Sequence, residues 1–315
     1  MLVGSLSRFI YLTKESEKKY EKITKLNESL ASGKRVDLME QDPTGVYFDL
    51  SLKRDLEKQK LYDSNLQVSQ SHLQLMDDTL GKVYDLLLQA KADLIQADST
   101  GAPDPEAVKA ELDRIKLEIL FYARTKIGNY YLFSGNLPTQ DPYANAETGD
   151  YTYTGGSQDY NLIVGSSDKV PTFLNGAQIF GDGEEQYTTV DDILTAIENN
   201  GYRTKSVFMA LDVAERAVEL QDSNAINAAL KNLEYWINQI NVKHAYIGTL
   251  EQKVQNYQTL YGNTQTNLAN QVSRIEDTPY DQYIAQYQNM TTTYQVLLSV
   301  LGKEESQTPA LLKYF

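Results

Sequence analysis

Cysteine is absent from all 315 residues, so the chain can form neither a disulfide nor a thiolate metal site. Histidine occurs only at His72 and His244, which excludes the paired imidazoles of a His-x-x-x-His zinc helix. No apolar run approaches a membrane span, so no membrane insertion is expected. The opening Met1–Arg8 lacks a basic stretch followed by an apolar core, and no cleaved signal peptide is evident. Cations are scarce, with 29 Lys and Arg against 43 Asp and Glu, a net charge of −14. That balance argues against nucleic acid, which needs a concentrated Lys/Arg face, and against an anionic membrane surface. What remains is 41% hydrophobic and 23% charged, the composition of a globular chain long enough for two or three domains.

Proline is missing from Thr44–Ala102 and from Thr172–Thr278, whereas ten of the 18 glycines fall between Gly128 and Gly201. The flanks therefore read as long helices and the middle as something else. Leu2, Phe9, Ile23 and Leu30, with Leu6 and Tyr20 between them, follow a gapped seven-residue repeat that ends at Gly33. Gly33–Gly45 reads as a loop with Asp42-Pro43 at its turn. Leu50, Leu61, Val68, Leu75, Leu80, Val83, Leu87 and Leu94 predict a helix from about Tyr47 to Ala97, some ~75 Å long at ~1.5 Å per residue. After a turn at Asp98–Pro103, Asp104 as N-cap and Pro105 at the first position open a helix to about Ile127.

Between Asn129 and Tyr202, the aromatic and β-branched runs Tyr130–Phe133, Tyr151–Thr154 and Tyr160–Val164 predict strands. A short helix near Val190–Glu198 stops at Asn199-Asn200-Gly201. Helices resume with Val207, Leu211, Ala214 and Val218, and then with a long series from Ile226 to Leu268. Thr278-Pro279-Tyr280-Asp281 reads as a fresh helix start with Thr278 as its cap. From there Tyr280, Tyr287, Tyr294 and Leu301 recur every seven, with Ile284, Thr291 and Leu298 between, until Gly302 stops them. Met1–Val36 carries eight Lys/Arg against four Asp/Glu, and Glu276–Phe315 carries two against five. Opposite charge beside matching seams is what paired terminal helices would show, placing both termini at one end of a rod. The alternative is that each seam packs on its own domain.

The fold class expected is mainly α with a β-rich insertion (α+β): a long-helix rod with terminal coiled-coil helices. The domains expected are a terminal coiled-coil region of 1–46 and 276–315, a long-helix domain of 47–128 and 203–275, and an autonomous β-rich insertion of 129–202.

Catalytic constellations are missing. Ser166-Ser167-Asp168-Lys169 contains Ser-x-x-Lys without its companion motifs and reads as a polar loop. Asp182-Gly183-Glu184-Glu185 lacks the alternating ligands of a calcium loop. No glycine-rich phosphate loop occurs. No cofactor, metal or enzyme activity is expected, and the 23 tyrosines are explained by packing at helix interfaces.

Four segments carry a resemblance to the flagellin superfamily. Leu30-Ala31-Ser32-Gly33-Lys34-Arg35-Val36 followed by Asp42-Pro43 is similar to its Ser-Gly-Lys-Arg loop, with Gln41 in place of one acid. Lys243–Gly248 stands where the family has Arg-Ala-x-x-Gly, and Ser273-Arg274-Ile275-Glu276-Asp277 matches its Ser-x-Ile-x-Asp segment. Gly128-Asn129-Tyr130-Tyr131-Leu132-Phe133-Ser134-Gly135 is similar to a signature of the hook–filament junction branch. The resemblance implies a secreted structural adapter of the bacterial flagellum, exported by the flagellar type III apparatus. Its implied partners are copies of itself, the first hook-associated protein, flagellin, and a cytoplasmic export chaperone at the C-terminal region. It also implies assembly through the terminal seams, making Phe9, Ile23, Leu30, Tyr280, Ile284, Tyr287, Tyr294, Leu298 and Leu301 the expected interface. The alternatives are flagellin itself, an unrelated secreted coiled-coil interaction protein, or an enzyme carried on the insertion.

Overall fold

The computed structural model describes residues 2–35, 42–99 and 104–312, apart from the side chains of 2–6, 147 and 304–312. The Val36–Gln41 part of the expected loop, the Thr100–Pro103 part of the expected turn, and the side chains of Leu2 and Leu6 lie outside the described residues. Eight helices are described: α1 (Leu2–Ser32), α2 (Pro43–Ala97), α3 (Pro105–Ala123), α4 (Ala177–Phe180), α5 (Val190–Asn200), α6 (Val207–Leu220), α7 (Ser223–Glu276) and α8 (Tyr280–Leu312). Two small antiparallel hairpins accompany them, β1 (Lys126–Ile127) with β2 (Tyr130–Tyr131), and β3 (Tyr160–Ile163) with β4 (Lys169–Phe173).

Local chemistry explains the boundaries. Gly33 ends α1 at φ +73°, the left-handed conformation that glycine adopts without a Cβ penalty. Asp42 is an N-cap rather than a turn residue: its Oδ1 accepts the Gly45 N–H at 2.8 Å, and Pro43 fills the first helical position. Asp104 caps α3 through the Glu106 N–H, with Pro105 next, as the sequence indicates. Thr189 caps α5, whose end at Gly201 (φ +63°) matches the expected stop.

The contacts divide the chain into two units, Met1–Gln59 with Asn263–Phe315, and Lys60–Gly262. In the second unit, Leu66, Leu73, Met76, Leu80, Val83, Leu87 and Leu94 of α2 are fully buried at alternating spacings of three, four and seven. They share one core with Leu112, Ile115 and Ile119 of α3, Leu211 and Ala214 of α6, and Leu233, Ile240 and Val254 of α7. Each fully buried Leu or Ile side chain contributes ~1.5–3 kcal/mol. The segment after α3 belongs to this same core. Phe133, Tyr143 and Phe180 are buried around Phe208 of α6, with Tyr143 5.2 Å and Phe180 6.5 Å from its ring. The expectation of a self-contained insertion at 129–202 therefore differs from the observed packing, where its aromatic centre is completed by a flanking helix.

Two other expectations are corrected, and one strand appears that the sequence does not announce. Tyr151–Thr154 forms no strand, because its backbone makes single ties to separate segments (Tyr153 N–H to Asp182, Thr154 N–H to Pro142) instead of a ladder. Lys169–Phe173 is a strand despite Pro171, which is tolerated because a two-stranded hairpin leaves one edge of each strand unpaired. Gly302 does not end α8, which runs on to Leu312. Nothing lies within 4 Å of where its Cβ would be, and a mid-helix glycine costs only ~1 kcal/mol.

In the first unit α1 packs along α8, as the matched seams and opposite charges indicate. Burial there is sparse: Leu26, Leu52 and Tyr283 are its only buried apolar side chains among the described residues.

Candidate assembly region

Two of the four motif segments, some 240 residues apart in sequence, meet at the base of the terminal pair. Lys34 and Asp277 form an isolated antiparallel bridge. Arg35 N–H donates to the Glu276 carbonyl at 2.8 Å, and Thr278 N–H donates to the Gly33 carbonyl at 2.9 Å. Thr278 is buried, and its hydroxyl donates to the Ser29 carbonyl at 3.0 Å, so it ties α8 to α1 rather than serving only its own helix. A Cβ at Gly33 would meet the Tyr280 hydroxyl at 3.0 Å, a second reason for glycine there.

Charges reinforce this clasp. Lys34 Nζ lies 2.6 Å from Asp277 Oδ1 and 3.3 Å from Glu276 Oε2. Lys53 Nζ bonds Glu276 and lies 3.0 Å from Asp49 Oδ2. Hydrogen bonds from Lys53 and then Lys34 hold the Glu276 carboxyl below its ordinary value, while Lys34 and Ser273 do the same for Asp277. Both lysines are correspondingly raised, Lys34 chiefly by Asp277 and Lys53 chiefly by Glu276.

Above the clasp, α8 turns Tyr283, Tyr287, Met290, Tyr294, Leu297 and Leu301 toward burial, the alternating four-three spacing of a coiled-coil seam. The facing residues of α1 include Phe9, Ser16, Ile23, Leu26, Ser29 and Leu30, and Tyr20 meets Tyr294 with ring centroids 5.9 Å apart. Of the expected interface residues, Phe9, Ile23, Leu30, Tyr287, Tyr294 and Leu301 are thus half-buried in this seam. Tyr280, Ile284 and Leu298 are exposed instead; Ile284 and Leu298 sit one residue, or about 100°, past the seam positions 283 and 297. The repeat of seven missed Tyr283, Leu26 and the buried Ser29, and Thr278 reads from sequence only as a cap. The three-residue step from Ile23 to Leu26 was the available signal for Leu26.

The pair leaves several large apolar side chains open to solvent. Ile10, Tyr11 and Tyr20 on α1, and Tyr280, Ile284, Val296 and Leu298 on α8, are all more than two-fifths exposed. Thr291 Oγ1, one residue past the seam position Met290, is buried without a hydrogen-bond partner.

The candidates for chemistry are scattered. His244 pairs with Asp77 at 2.9 Å, whereas His72 packs 4.9 Å from the Phe173 ring and is pushed down by burial. Lys169 opens β4, and the Ser166–Asp168 turn is closed by the Val164 N–H to Asp168 carbonyl bond. Asp182 accepts the Glu184 N–H, and Glu185 accepts the Tyr202 hydroxyl. Among the described residues no group of three or more His, Asp or Glu could hold a metal ion, and no helix is long and apolar enough to cross a membrane.

The fold defines a class of flagellar proteins with solved structures. A Vibrio parahaemolyticus protein assigned to the flagellar hook-associated proteins is 15% identical, with a TM-score of 0.62 over 75% of this chain and 99% of that one. FlgL of Bacillus cereus is 19% identical, with a TM-score of 0.55 over 71% and 99%. The flagellar junction protein FlgL of Legionella pneumophila is 14% identical, with a TM-score of 0.56 over 73% and 100%. No curated protein matches the sequence. The chain belongs to the bacterial flagellin family: the family's N-terminal helical region matches residues 11–137 and its C-terminal helical region matches residues 230–315.

Proposed function

We propose that this chain is a structural adapter between the hook-associated zone of the flagellum and the flagellin filament, working by self-assembly through its terminal helices. The observation that carries this reading is the apolar surface that the terminal pair leaves exposed. A pair whose own seam buries little and which exposes Tyr11, Tyr20, Ile284, Val296 and Leu298 is incomplete as a monomer. Neighbouring copies would supply the missing contacts. Likeness to proteins described as hook-associated and junction proteins favours the junction over the filament proper.

The partners in this reading are copies of the chain, the first hook-associated protein on one side and flagellin on the other. A cytoplasmic chaperone would cover the C-terminal seam before export through the flagellar type III apparatus. No step calls for catalysis: the family is structural, and the chain's role is to hold two lattices together.

Replacing Ile284 and Leu298 by Asp tests the reading. Both side chains lie outside the seam, so the expected result is loss of incorporation at the junction with the melting of the Lys60–Gly262 unit unchanged. Incorporation at the wild-type level would overturn the terminal-helix mechanism.

A further inference from the structure

Away from the terminal pair, the second unit has a patch where exposed apolar surface and an unpaired cation coincide. α3 turns Leu112, Ile115 and Ile119 into the core and Leu117 and Phe121 outward, 58% and 72% exposed. With Leu120, Arg124, Lys126 and Tyr131 these two line an open cleft of about 330 Å³. Arg124 is engaged by Asp141. Lys126 has no carboxylate partner among the described residues and lies 4.2 Å from the centre of the Tyr131 ring.

A surface of opposite character runs along α2. Asp78 and Asp85 are exposed seven residues apart, with no cation paired to either among the described residues. Leu88 and Ile95 continue the same helical stripe at 40% and 52% exposure. Glu251 lies close enough for its carboxyl to be raised, first by burial and then by the charges of Asp77 and Asp78. Lys82, between Asp78 and Asp85 on α2, lies 5.5 Å from the centre of the Tyr122 ring, and His244 is already paired with Asp77. In a chain of net charge −14, a cationic apolar cleft is matched by an anionic apolar stripe on the same unit.

We propose that these two surfaces meet between copies of the chain: Leu117, Phe121 and Lys126 of one copy against Asp78, Asp85, Leu88 and Ile95 of the next. The inference rests on the self-assembly reading and names a lateral contact for it outside the terminal helices. Because the two patches differ, the contact is head-to-tail, and it propagates instead of closing a two-fold dimer. The aromatic in the cleft would carry most of the affinity, and the Lys126 charge would set which neighbour fits.

The test is sedimentation velocity of the full-length chain over a concentration series, with melting recorded for each variant. Phe121→Asp should raise the concentration at which half the protein is assembled by about tenfold or more, the loss expected of a buried aromatic anchor. Lys126→Glu should raise it by about threefold to tenfold, and adding Asp85→Lys to Lys126→Glu should recover most of that loss. Should Phe121→Asp lower the melting point, the Lys126→Glu and Asp85→Lys series decides the matter alone. Wild-type assembly by Phe121→Asp with unchanged melting, or a double variant no better than Lys126→Glu, overturns this contact while leaving the terminal-helix mechanism standing. A wild-type chain that stays monomeric at every concentration overturns the self-assembly reading, and this contact with it.

Discussion

At the scale of single residues, the clasp is where the chain places its most specific chemistry. Glu276 and Asp277 have folded-state values below their ordinary 4.5 and 3.8, so the stability they contribute is present above that range and is lost as pH falls through the folded values. Lys34 and Lys53 are raised above their ordinary 10.5, so their contribution is present below it and is lost as pH rises past it. The clasp should therefore hold from about pH 5 to pH 10, with the amide resonances of Arg35 and Thr278 moving to exchange-broadened or coil positions as pH falls below the ordinary carboxylate range. Exposed pairs of this kind contribute little each, so the buried hydroxyl matters more. Thr278→Val, which removes the hydrogen bond to the Ser29 carbonyl, should weaken the clasp by about 1 kcal/mol at pH 7. Unchanged Arg35 and Thr278 resonances in that variant would mean that the backbone bridge alone holds the helices together.

At the scale of elements, legibility followed the length of the pattern. The long helices were readable because apolar residues repeat through seven or more turns with few breakers, and because Asp104-Pro105 and Gly201 are unambiguous punctuation. The terminal pairing was readable too, from matched seams and opposite charge. The hairpins were harder: β1 and β2 are two residues each, Pro171 hides β4, and Tyr151–Thr154 has strand composition but no partner. The seam itself was legible only to within a residue, since a repeat of seven fixes the spacing but not which of two adjacent positions faces inward. Tyr283 against Ile284 and Leu297 against Leu298 are the cases in point. Nor could the sequence show that Lys34 and Asp277 would meet, because nothing local couples positions so far apart. The aromatic centre around Tyr143 bears on the glycine-rich middle in the same way. With Phe208 supplied by α6, a fragment of residues 129–202 lacks one wall of its core. Such a fragment is expected to show no cooperative thermal transition by near-ultraviolet circular dichroism, whereas the Lys60–Gly262 unit should melt cooperatively. A sharp transition in the short fragment would restore the case for an autonomous insertion.

At the scale of the whole molecule, the two units differ in how complete they are. The Lys60–Gly262 unit buries a continuous core, while the terminal unit buries three apolar side chains among the described residues and leaves ten large ones exposed. Ordering backbone costs ~1–2 kcal/mol per residue, and the terminal pair recovers little of that by itself. In our account neighbouring copies supply the remainder, which couples the folding of the ends to incorporation. Amide hydrogen exchange of the full chain, compared between the free protein and the assembled form, tests this most directly. The account predicts that in the free protein α1 and the part of α8 beyond Tyr283 exchange at least ~100-fold faster than the α2 and α7 amides of the Lys60–Gly262 unit, and become protected on assembly. Terminal helices as protected in the free protein as that core would contradict it.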